Sequence, residues 1–271
     1  MTYSSLFAAA ALCAACVPCA ADCVVKSGPA TAALVELYTS EGCSSCPPAD
    51  RQLSALRSRL DANAVIVPLA LHVSYWDQIG WKDIFAQKLF DARQRDLVER
   101  NRKNVVYTPQ FFVNGGELRD WSTALPATIR RINATPAPLT ITLKTSAVKP
   151  APAGAQSAAW LLDADVAAAT ATNPATAGAL YLALSESGLS TQVLRGENGG
   201  TTLHHDDTVR LWLGPFPLDK GKAHVRQQVA LPAAWRSDRL HAVAFVQGGA
   251  DGRILQAVSS AQCTAAPGDG T

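Results

Sequence analysis

The sequence predicts an α/β domain over residues 22–135, followed by an all-β, sandwich-like domain over residues 136–271. The first part alternates strand-like runs with helical periodicities, whereas the second contains short strand-like runs separated by turn-rich stretches. The length of 271 residues also exceeds what one hydrophobic core usually serves. A formal net charge of +2 indicates neither a nucleic-acid partner nor a strongly acidic one.

Residues 1–21 resemble a secretory signal peptide. The Ala-rich apolar run over residues 7–21 is too short to span a bilayer and ends in Cys19-Ala20-Ala21, the small residues that a signal peptidase accepts. Cleavage before Asp22 predicts a periplasmic or secreted protein without a transmembrane span. Lipid anchoring at Cys16 or Cys23 is the alternative, but neither follows the usual leucine-small-small pattern.

Four of the seven cysteines remain after such a cleavage. Export places them in an oxidising compartment, where disulfides persist. The simplest pairing joins Cys43 to Cys46 locally and Cys23 to Cys263 across the length of the chain. Four cysteines allow three connectivities, so this pairing is an expectation.

The elements of the first domain follow one another in a distinctive order. Apolar, β-branched runs predict strands, and a leucine repeat behind Pro47-Pro48 predicts a helix whose first turn accepts proline. The order is strand (32–39), Cys-x-x-Cys, helix (46–61), strand (64–73), helix (84–103), strand with an X-Pro bond (105–113), hairpin partner (117–121) and helix (122–132). This is the plan of a thioredoxin-like domain.

The Cys43/Cys46 pair has the placement expected of a redox centre. A thiol attacks a disulfide as the thiolate, and a helix start supplies N–H groups and the positive end of the helix dipole. We therefore predict that Cys43 is the nucleophile and Cys46 the resolving thiol. No cofactor and no bound metal are expected.

Three further residues are candidates for the chemistry. The bond between Thr108 and Pro109 falls where the thioredoxin plan has a cis-proline that orients the substrate backbone, and we predict that it is cis. Glu36 lies within an apolar strand, and a buried carboxylate there would suit a base for Cys46. The alternative is a glutamate that faces solvent.

The segment after the second predicted strand is rich in aromatic and polar side chains. In this fold, the ends of the central strands approach the cysteine pair. His72, Tyr75, Trp76 and Asp77 are therefore candidates for one wall of the substrate groove. The alternative is structural, with aromatic rings packing a loop around a hydrogen-bonded histidine.

Three segments of the sequence resemble a known family: residues 35–50 (VELYTSEGCSSCPPAD), residues 72–77 (HVSYWD) and residues 107–110 (YTPQ). They are similar to a bacterial family of secreted thioredoxin-like proteins catalogued as a domain of unknown function. The similarity continues through residues 195–198 and 243–247. It implies a thioredoxin-like fold whose Cys-x-x-Cys is placed as in disulfide oxidoreductases, followed by a β-rich domain.

The leading hypothesis is an exported thiol–disulfide oxidoreductase whose partners are protein thiols or disulfides and an unidentified redox recycling partner. One rival is a binding or scaffold protein in which the Cys43–Cys46 disulfide is structural. Another is a copper carrier, although the only methionine is Met1, so a thioether ligand is lacking after cleavage.

Two other patterns are weaker candidates. Adjacent side chains in His204-His205-Asp206-Asp207 point to opposite faces of a strand, so they do not converge on a metal without a turn. The basic residues of the second predicted helix alternate with acidic ones, which indicates a solvated face and not a nucleic-acid site. They are Arg93, Arg95, Arg100, Arg102 and Lys103.

Overall fold

The computed structural model describes residues 22–148, 158–168, 177–249 and 251–263. The predicted signal peptide, residues 1–21, lies outside the described residues. Within the described ranges, no helix has both the length and the apolar character that crossing a membrane requires.

Strands and helices alternate through the first half of the chain. The helix expected over residues 46–61 is divided at Ala55, where ψ is −3° and the turn tightens. The strand expected over residues 105–113 is shorter, because Pro109 has no N–H to donate to a strand ladder. The elements are β1 (Cys23–Lys26), β2 (Ala33–Thr39), α1 (Pro47–Ser54), α2 (Leu56–Arg59), β3 (Ile66–His72), α3 (Lys88–Arg100), β4 (Gln110–Val113), β5 (Gly116–Glu117) and α4 (Trp121–Asn133).

The second half of the chain is built from strands. Each strand-like run predicted there overlaps an observed strand, whereas β9 and β10 were not predicted. The elements are β6 (Leu139–Val148), β7 (Ala159–Ala168), β8 (Gly178–Glu186), β9 (Leu189–Gln192), β10 (Thr202–His205), β11 (Thr208–Pro217), β12 (Ala223–Ala230), β13 (Leu240–Gly248) and β14 (Ile254–Ser259).

One eight-stranded sheet has the order β14-β13-β8-β11-β3-β2-β4-β5. Strands β2 and β3 are parallel, and β3 also meets β11 in parallel through Ala70 and Thr208. The sheet therefore joins strands from both sides of residue 135, where the domain boundary is predicted. Whether residues 22–135 and 136–271 fold independently stays a prediction.

A second sheet of four strands has the order β1-β6-β7-β12. Its apolar side chains, such as Ile141 and Leu162, pack against Leu182 of β8 and Ala244 of β13. Strand β1 comes from the start of the described chain but pairs with β6. The predicted Cys23–Cys263 disulfide is present and joins the first residue of β1 to the end of the described chain.

All residues of β2 are buried. Because side chains alternate between the two faces of a strand, both faces of β2 are therefore covered. Val35 and Leu37 pack on one face with apolar residues of α1 and α4. Leu34 and Tyr38 pack on the other face with residues of α3 and of the second-half strands. The loop that follows β2 carries the two cysteines of the candidate site.

Candidate functional site

The Cys43–Cys46 disulfide, also as predicted, lies between the end of β2 and the start of α1. Two short turns shape this loop: Cys43 N–H donates to Ser40 O, and Cys46 N–H donates to Cys43 O. Helix α1 then begins with Pro47, whose missing N–H would have had no partner within the helix. The local sequence thus places the bridge at a helix start.

The N–H groups expected to stabilise a Cys43 thiolate are largely absent from this helix start. Pro47 and Pro48 have none, and the N–H groups of Ala49 and Asp50 donate to Cys46 O. The Ser45 hydroxyl lies 3.4 Å from Cys43 Sγ. Stabilisation of a thiolate would therefore rest on this hydroxyl and on the helix dipole.

Both sulfur-bearing residues are fully buried, with 0% of each exposed. The loop between β9 and β10, residues 193–201, covers them. Asn198 Nδ2 donates to Glu41 O (2.8 Å) and to Cys43 O (3.0 Å). The Glu197 carboxylate accepts hydrogen bonds from the backbone N–H (3.0 Å) and the hydroxyl (2.7 Å) of Ser44. These Ser44 contacts lower the pKa of Glu197.

The peptide bond between Thr108 and Pro109 is cis, in the loop that leads into β4. Trp76 connects this loop to the cysteine loop. Its Nε1 donates to Thr108 Oγ1 at 2.7 Å, and a Cβ built on Gly42 would lie 3.3 Å from Trp76 Cβ. The structure therefore brings together Trp76, the Thr108–Pro109 bond and the cysteine loop.

A surface groove of about 380 Å³ lies beside the Thr108–Pro109 bond. Gln94 supports it from below, donating from Nε2 to Tyr107 O (2.8 Å) and accepting from the Tyr75 hydroxyl (3.3 Å). Burial raises the pKa of Tyr75 to about 12, so its hydroxyl stays neutral. The residues lining the groove are Tyr75, Trp76, Gln78, Ile79, Val106, Tyr107 and Thr108.

The two other predicted groove residues, His72 and Asp77, do not line this groove. His72 is buried beneath the cysteine loop, and its Nδ1 lies 2.7 Å from Asp83 Oδ2. Asp77 accepts a hydrogen bond from the Asp83 N–H at 3.1 Å. Both residues therefore shape the loop that carries Trp76.

Glu36 is fully buried, so the alternative of a solvent-facing glutamate is wrong. Its carboxylate accepts two hydrogen bonds from Arg93, at 2.6 and 3.0 Å. The Arg93 guanidinium lies against the aromatic rings of Tyr181, Trp212 and Phe245. The sequence predicted that Arg93 belongs to a solvated basic face, and for Arg93 this prediction is wrong.

The position of Glu36 also separates it from the cysteines. Neighbouring residues Val35 and Leu37 face α1, so Glu36 points to the opposite face of the sheet. The structure does not bring Glu36 to Cys46.

A cluster of buried ionisable groups lies behind the cysteine loop instead. Glu41 N–H donates to Asp83 Oδ2 (2.8 Å), and Trp81 Nε1 donates to Glu41 Oε2 (2.8 Å). His205 Nε2 lies 3.3 Å from Glu41 Oε1, and the rings of His205 and His72 are 5.0 Å apart. Asp50 of α1 is also buried beside these groups.

Several atoms of this cluster lack a hydrogen-bond partner among the described residues. They are Glu41 Oε1, His72 Nε2 and both ring nitrogens of His205. A buried polar atom without a partner is costly, so such atoms often mark functional sites.

Sequence reasoning missed Asp50, Asp83 and Asn198 as site residues. Asp50 was detectable, because it stands four residues after Cys46, a spacing that places both side chains on one face of a helix. His205 was considered only as a metal ligand. Asn198 is more than 150 residues from the cysteines, and no local pattern connects the two.

The described residues contain one group with the proximity expected of metal ligands: Asp163, Asp165 and His224, whose ligand atoms lie within 4.8 Å of one another. These residues sit on the neighbouring strands β7 and β12. A hydrogen bond of 2.8 Å between His224 and Asp165 accounts for their proximity. The four residues 204–207 do not converge, since His205 turns into the buried cluster and His204 is exposed.

Two solved structures resemble this chain. One is a protein of Agrobacterium tumefaciens from a structural genomics consortium, with 22% identity and a TM-score of 0.56, covering 86% of this chain and 95% of that one. The other is HBP35 of Porphyromonas gingivalis, with 15% identity and a TM-score of 0.63, covering 86% of this chain and 75% of that one. At these identities the likeness concerns the fold alone.

No curated protein matches the sequence. A family model, in contrast, matches residues 34–247, which include the cysteine pair, the Thr108–Pro109 bond and the loop of Asn198. The chain therefore belongs to the family described as protein of unknown function (DUF1223).

Proposed function

We propose that this protein is an exported thiol–disulfide oxidoreductase with a thioredoxin-like site, acting through Cys43 and Cys46 on protein thiols or disulfides. The observation that carries the proposal is the position of Trp76, which donates a hydrogen bond to Thr108 and lies beside Gly42 of the cysteine loop. A disulfide at a helix start is the placement that favours thiol–disulfide exchange, because the helix dipole stabilises the attacking thiolate. Export is supported by the two disulfides, which persist in oxidising compartments.

The reaction would proceed by two exchanges. In the reducing direction, the Cys43 thiolate attacks a substrate disulfide, forming a mixed disulfide and releasing the first substrate sulfur as a thiolate. The Cys46 thiol then gives up its proton and attacks Cys43 Sγ, which releases the second substrate sulfur and closes the Cys43–Cys46 bond. Two electrons have passed to the substrate, and a dithiol recycling partner returns them.

The groove beside Thr108 is suited to an extended segment of the substrate. Tyr75 and Trp76 offer apolar ring faces, and the half-exposed Ile79 extends this surface. Backbone groups next to the cis bond would align the substrate, while the rings would hold its side chains.

One observation favours a second candidate function. Because both cysteines are fully buried under residues 193–201, the bridge also fits a structural disulfide in a binding or scaffold protein. Structural disulfides resist reduction, so the redox potential separates the two functions.

The deciding experiment is the reduction potential of the Cys43–Cys46 couple, measured by equilibration with glutathione buffers and mass spectrometry. An oxidoreductase should give a value between about −270 and −120 mV. The Cys46→Ala variant should also accumulate a mixed disulfide with substrate protein, whereas Cys43→Ala should not. A potential below about −300 mV, with no trapped species, would establish the structural bridge instead.

A further inference from the structure

Asp50 stands one helical turn after Cys46, at the start of α1. Asp50 N–H donates to Cys46 O at 3.1 Å, the spacing of one helical turn. Side chains four residues apart share one face of a helix, with Cβ atoms about 5–6 Å apart. Since Cα–Cβ bonds tilt toward the N-terminus of a helix, the Asp50 side chain leans back toward Cys46. Both residues are buried.

The groups around Asp50 can take up or release protons. Helix α1 packs against β3 and β10, which carry His72 and His205. Behind them lie Asp83, hydrogen-bonded to His72, and Glu41, 3.3 Å from His205. His72, His205 and Asp83 are the ionisable groups that face Asp50 from these elements. Polar atoms of Glu41, His72 and His205 have no hydrogen-bond partner among the described residues.

We propose that Asp50 is the proton acceptor of the resolving thiol Cys46, in a buried site that it shares with His72, His205 and Asp83. This inference rests on the proposed oxidoreductase function. It assigns to Asp50 the role of base that the sequence predicted for Glu36, which lies on the other face of the sheet.

Resolution of the mixed disulfide moves one proton, forms one sulfur–sulfur bond and breaks another. In the mixed disulfide, the Cys46 S–H proton passes to an Asp50 carboxylate oxygen while Cys46 Sγ bonds to Cys43 Sγ. The bond between Cys43 Sγ and the substrate sulfur breaks, and the substrate leaves as a thiolate. The proton later leaves Asp50 for solvent when the site opens.

The electrostatics agree with this role. Burial raises the pKa of Asp50, and the nearby rings of His72 and His205 offset this only in part. A carboxylate of raised pKa is a stronger base than an exposed aspartate and is better matched to a thiol. For His72, burial disfavours the charged form, but Asp83 outweighs it and the pKa is raised.

The test uses the full chain with the Cys43–Cys46 bond reduced and the Cys23–Cys263 bond kept closed, and the chromogenic disulfide 5,5′-dithiobis(2-nitrobenzoate) as the probe. Attack by Cys43 releases one thionitrobenzoate, and attack by Cys46 on the mixed disulfide releases a second in a separate phase. We expect Asp50→Asn to slow the second phase at neutral pH by about 100-fold, the lower end of the effect of a general base. The first phase should change little.

The pH dependence provides a readout that a structural role would not change. In the wild type, the second phase should stay nearly constant from the ordinary thiol pKa of about 8.5 down to the pKa of Asp50. In Asp50→Asn it should fall about tenfold per pH unit, because ionisation of the thiol alone then limits the rate. Asp96→Asn, a partly exposed aspartate of α3, is the control and should behave as wild type.

The outcomes separate the two proposals. An unchanged second phase in Asp50→Asn would overturn the role of Asp50 while leaving the oxidoreductase intact. If Asp50→Asn does not fold, the wild type alone decides. A wild-type second phase whose rate falls tenfold per pH unit below pH 8 would equally overturn the role of Asp50. A wild type that releases only one thionitrobenzoate, like Cys46→Ala, would instead overturn the proposed function.

Discussion

Arg93 and Glu36 form an ion pair inside the core. The Glu36 side chain is fully buried and that of Arg93 is 6% exposed, and the pair is enclosed by aromatic rings from the second half of the chain. Burial disfavours the charged form of Arg93, yet the Glu36 carboxylate outweighs this and raises its pKa. Such a pair contributes little net stability, but removing one partner leaves an uncompensated buried charge.

We therefore expect Glu36→Gln to lower the free energy of unfolding by about 3–5 kcal/mol in urea titrations. The reduction potential of the Cys43–Cys46 couple should stay within error of the wild type. Asp96→Asn breaks the partly exposed pair with Arg100 and should cost under about 1 kcal/mol. A slower exchange reaction in Glu36→Gln, with unchanged stability, would restore the role that the sequence predicted for Glu36.

The His72–Asp83 pair predicts a pH window of stability. Burial opposes both charges, but their mutual attraction raises the pKa of His72 and lowers that of Asp83. A raised histidine pKa contributes stability below about 6.5 that is lost as pH rises through the folded-state pKa. A lowered aspartate pKa contributes stability above about 3.9 that is lost as pH falls through the folded-state pKa.

Asp83→Asn should therefore have a lower free energy of unfolding than wild type, and the difference should be largest, about 3 kcal/mol, between about pH 4 and 6.5. The difference should shrink as pH rises through the pKa of His72. Urea unfolding across a pH series measures it, with the exposed Asp238→Asn as control. A difference that is constant with pH would mean that His72 is neutral in the folded protein.

At the scale of elements, the β9–β10 hairpin is the part of the second half that reaches the cysteine loop. Asn198 satisfies two backbone carbonyl groups of that loop, and Glu197 satisfies two donors of Ser44. Under the proposed function, a substrate would have to displace this hairpin to reach Cys43. Access to the disulfide depends on displacing these few hydrogen bonds.

Asn198→Ala should accelerate reduction of the Cys43–Cys46 bond by the small reductant tris(2-carboxyethyl)phosphine. Loss of two buried hydrogen bonds weakens the cover by about 1–3 kcal/mol, so a rate increase of about 5- to 150-fold is expected. Mass spectrometry after alkylation follows the reaction, and Ser190→Ala in exposed β9 is the matched control. Equal rates in the two variants would show that the hairpin does not limit access.

At the scale of the molecule, the two halves share one core. Tyr38 and Phe112 from the first half pack in the same cluster as Trp212 and Phe245 from the second. The fragment 22–135, carrying Cys23→Ser, should therefore lack a cooperative unfolding transition, because its apolar face would be exposed. The full chain with Cys23→Ser and Cys263→Ser is the control, and a fragment that unfolds cooperatively would support the predicted domain boundary.

The full chain with Cys23→Ser and Cys263→Ser should itself lose about 2–5 kcal/mol of unfolding free energy. The Cys23–Cys263 bond spans 240 residues and restricts the unfolded chain strongly, whereas Cys43–Cys46 spans 3. Paired serine substitutions of Cys43 and Cys46 should cost less. The opposite order would indicate that the local bridge holds the core together.

The predictable part of this molecule is local. Hydrophobic periodicity located β2, β3, α3 and the second-half strands other than β9 and β10, and the cysteine spacing located the bridge. The contact of Asn198 with Cys43 and the pairing of β11 with β3 depend on residues more than 130 positions apart. The pairing of Glu36 with Arg93 was missed for a related reason, since the two residues are 57 positions apart and the sequence prediction assigned Glu36 to Cys46.

The two disulfides also decide which atoms an oxidant can reach. Together they engage every cysteine of the described residues, and the sequence contains no methionine except Met1. Peroxide attacks thiolates and thioethers, and the described residues with both bridges closed offer neither. Formation of a sulfenic acid there requires that a reductant first open a bridge, so the cysteine that peroxide oxidises would show which of the two bridges had opened.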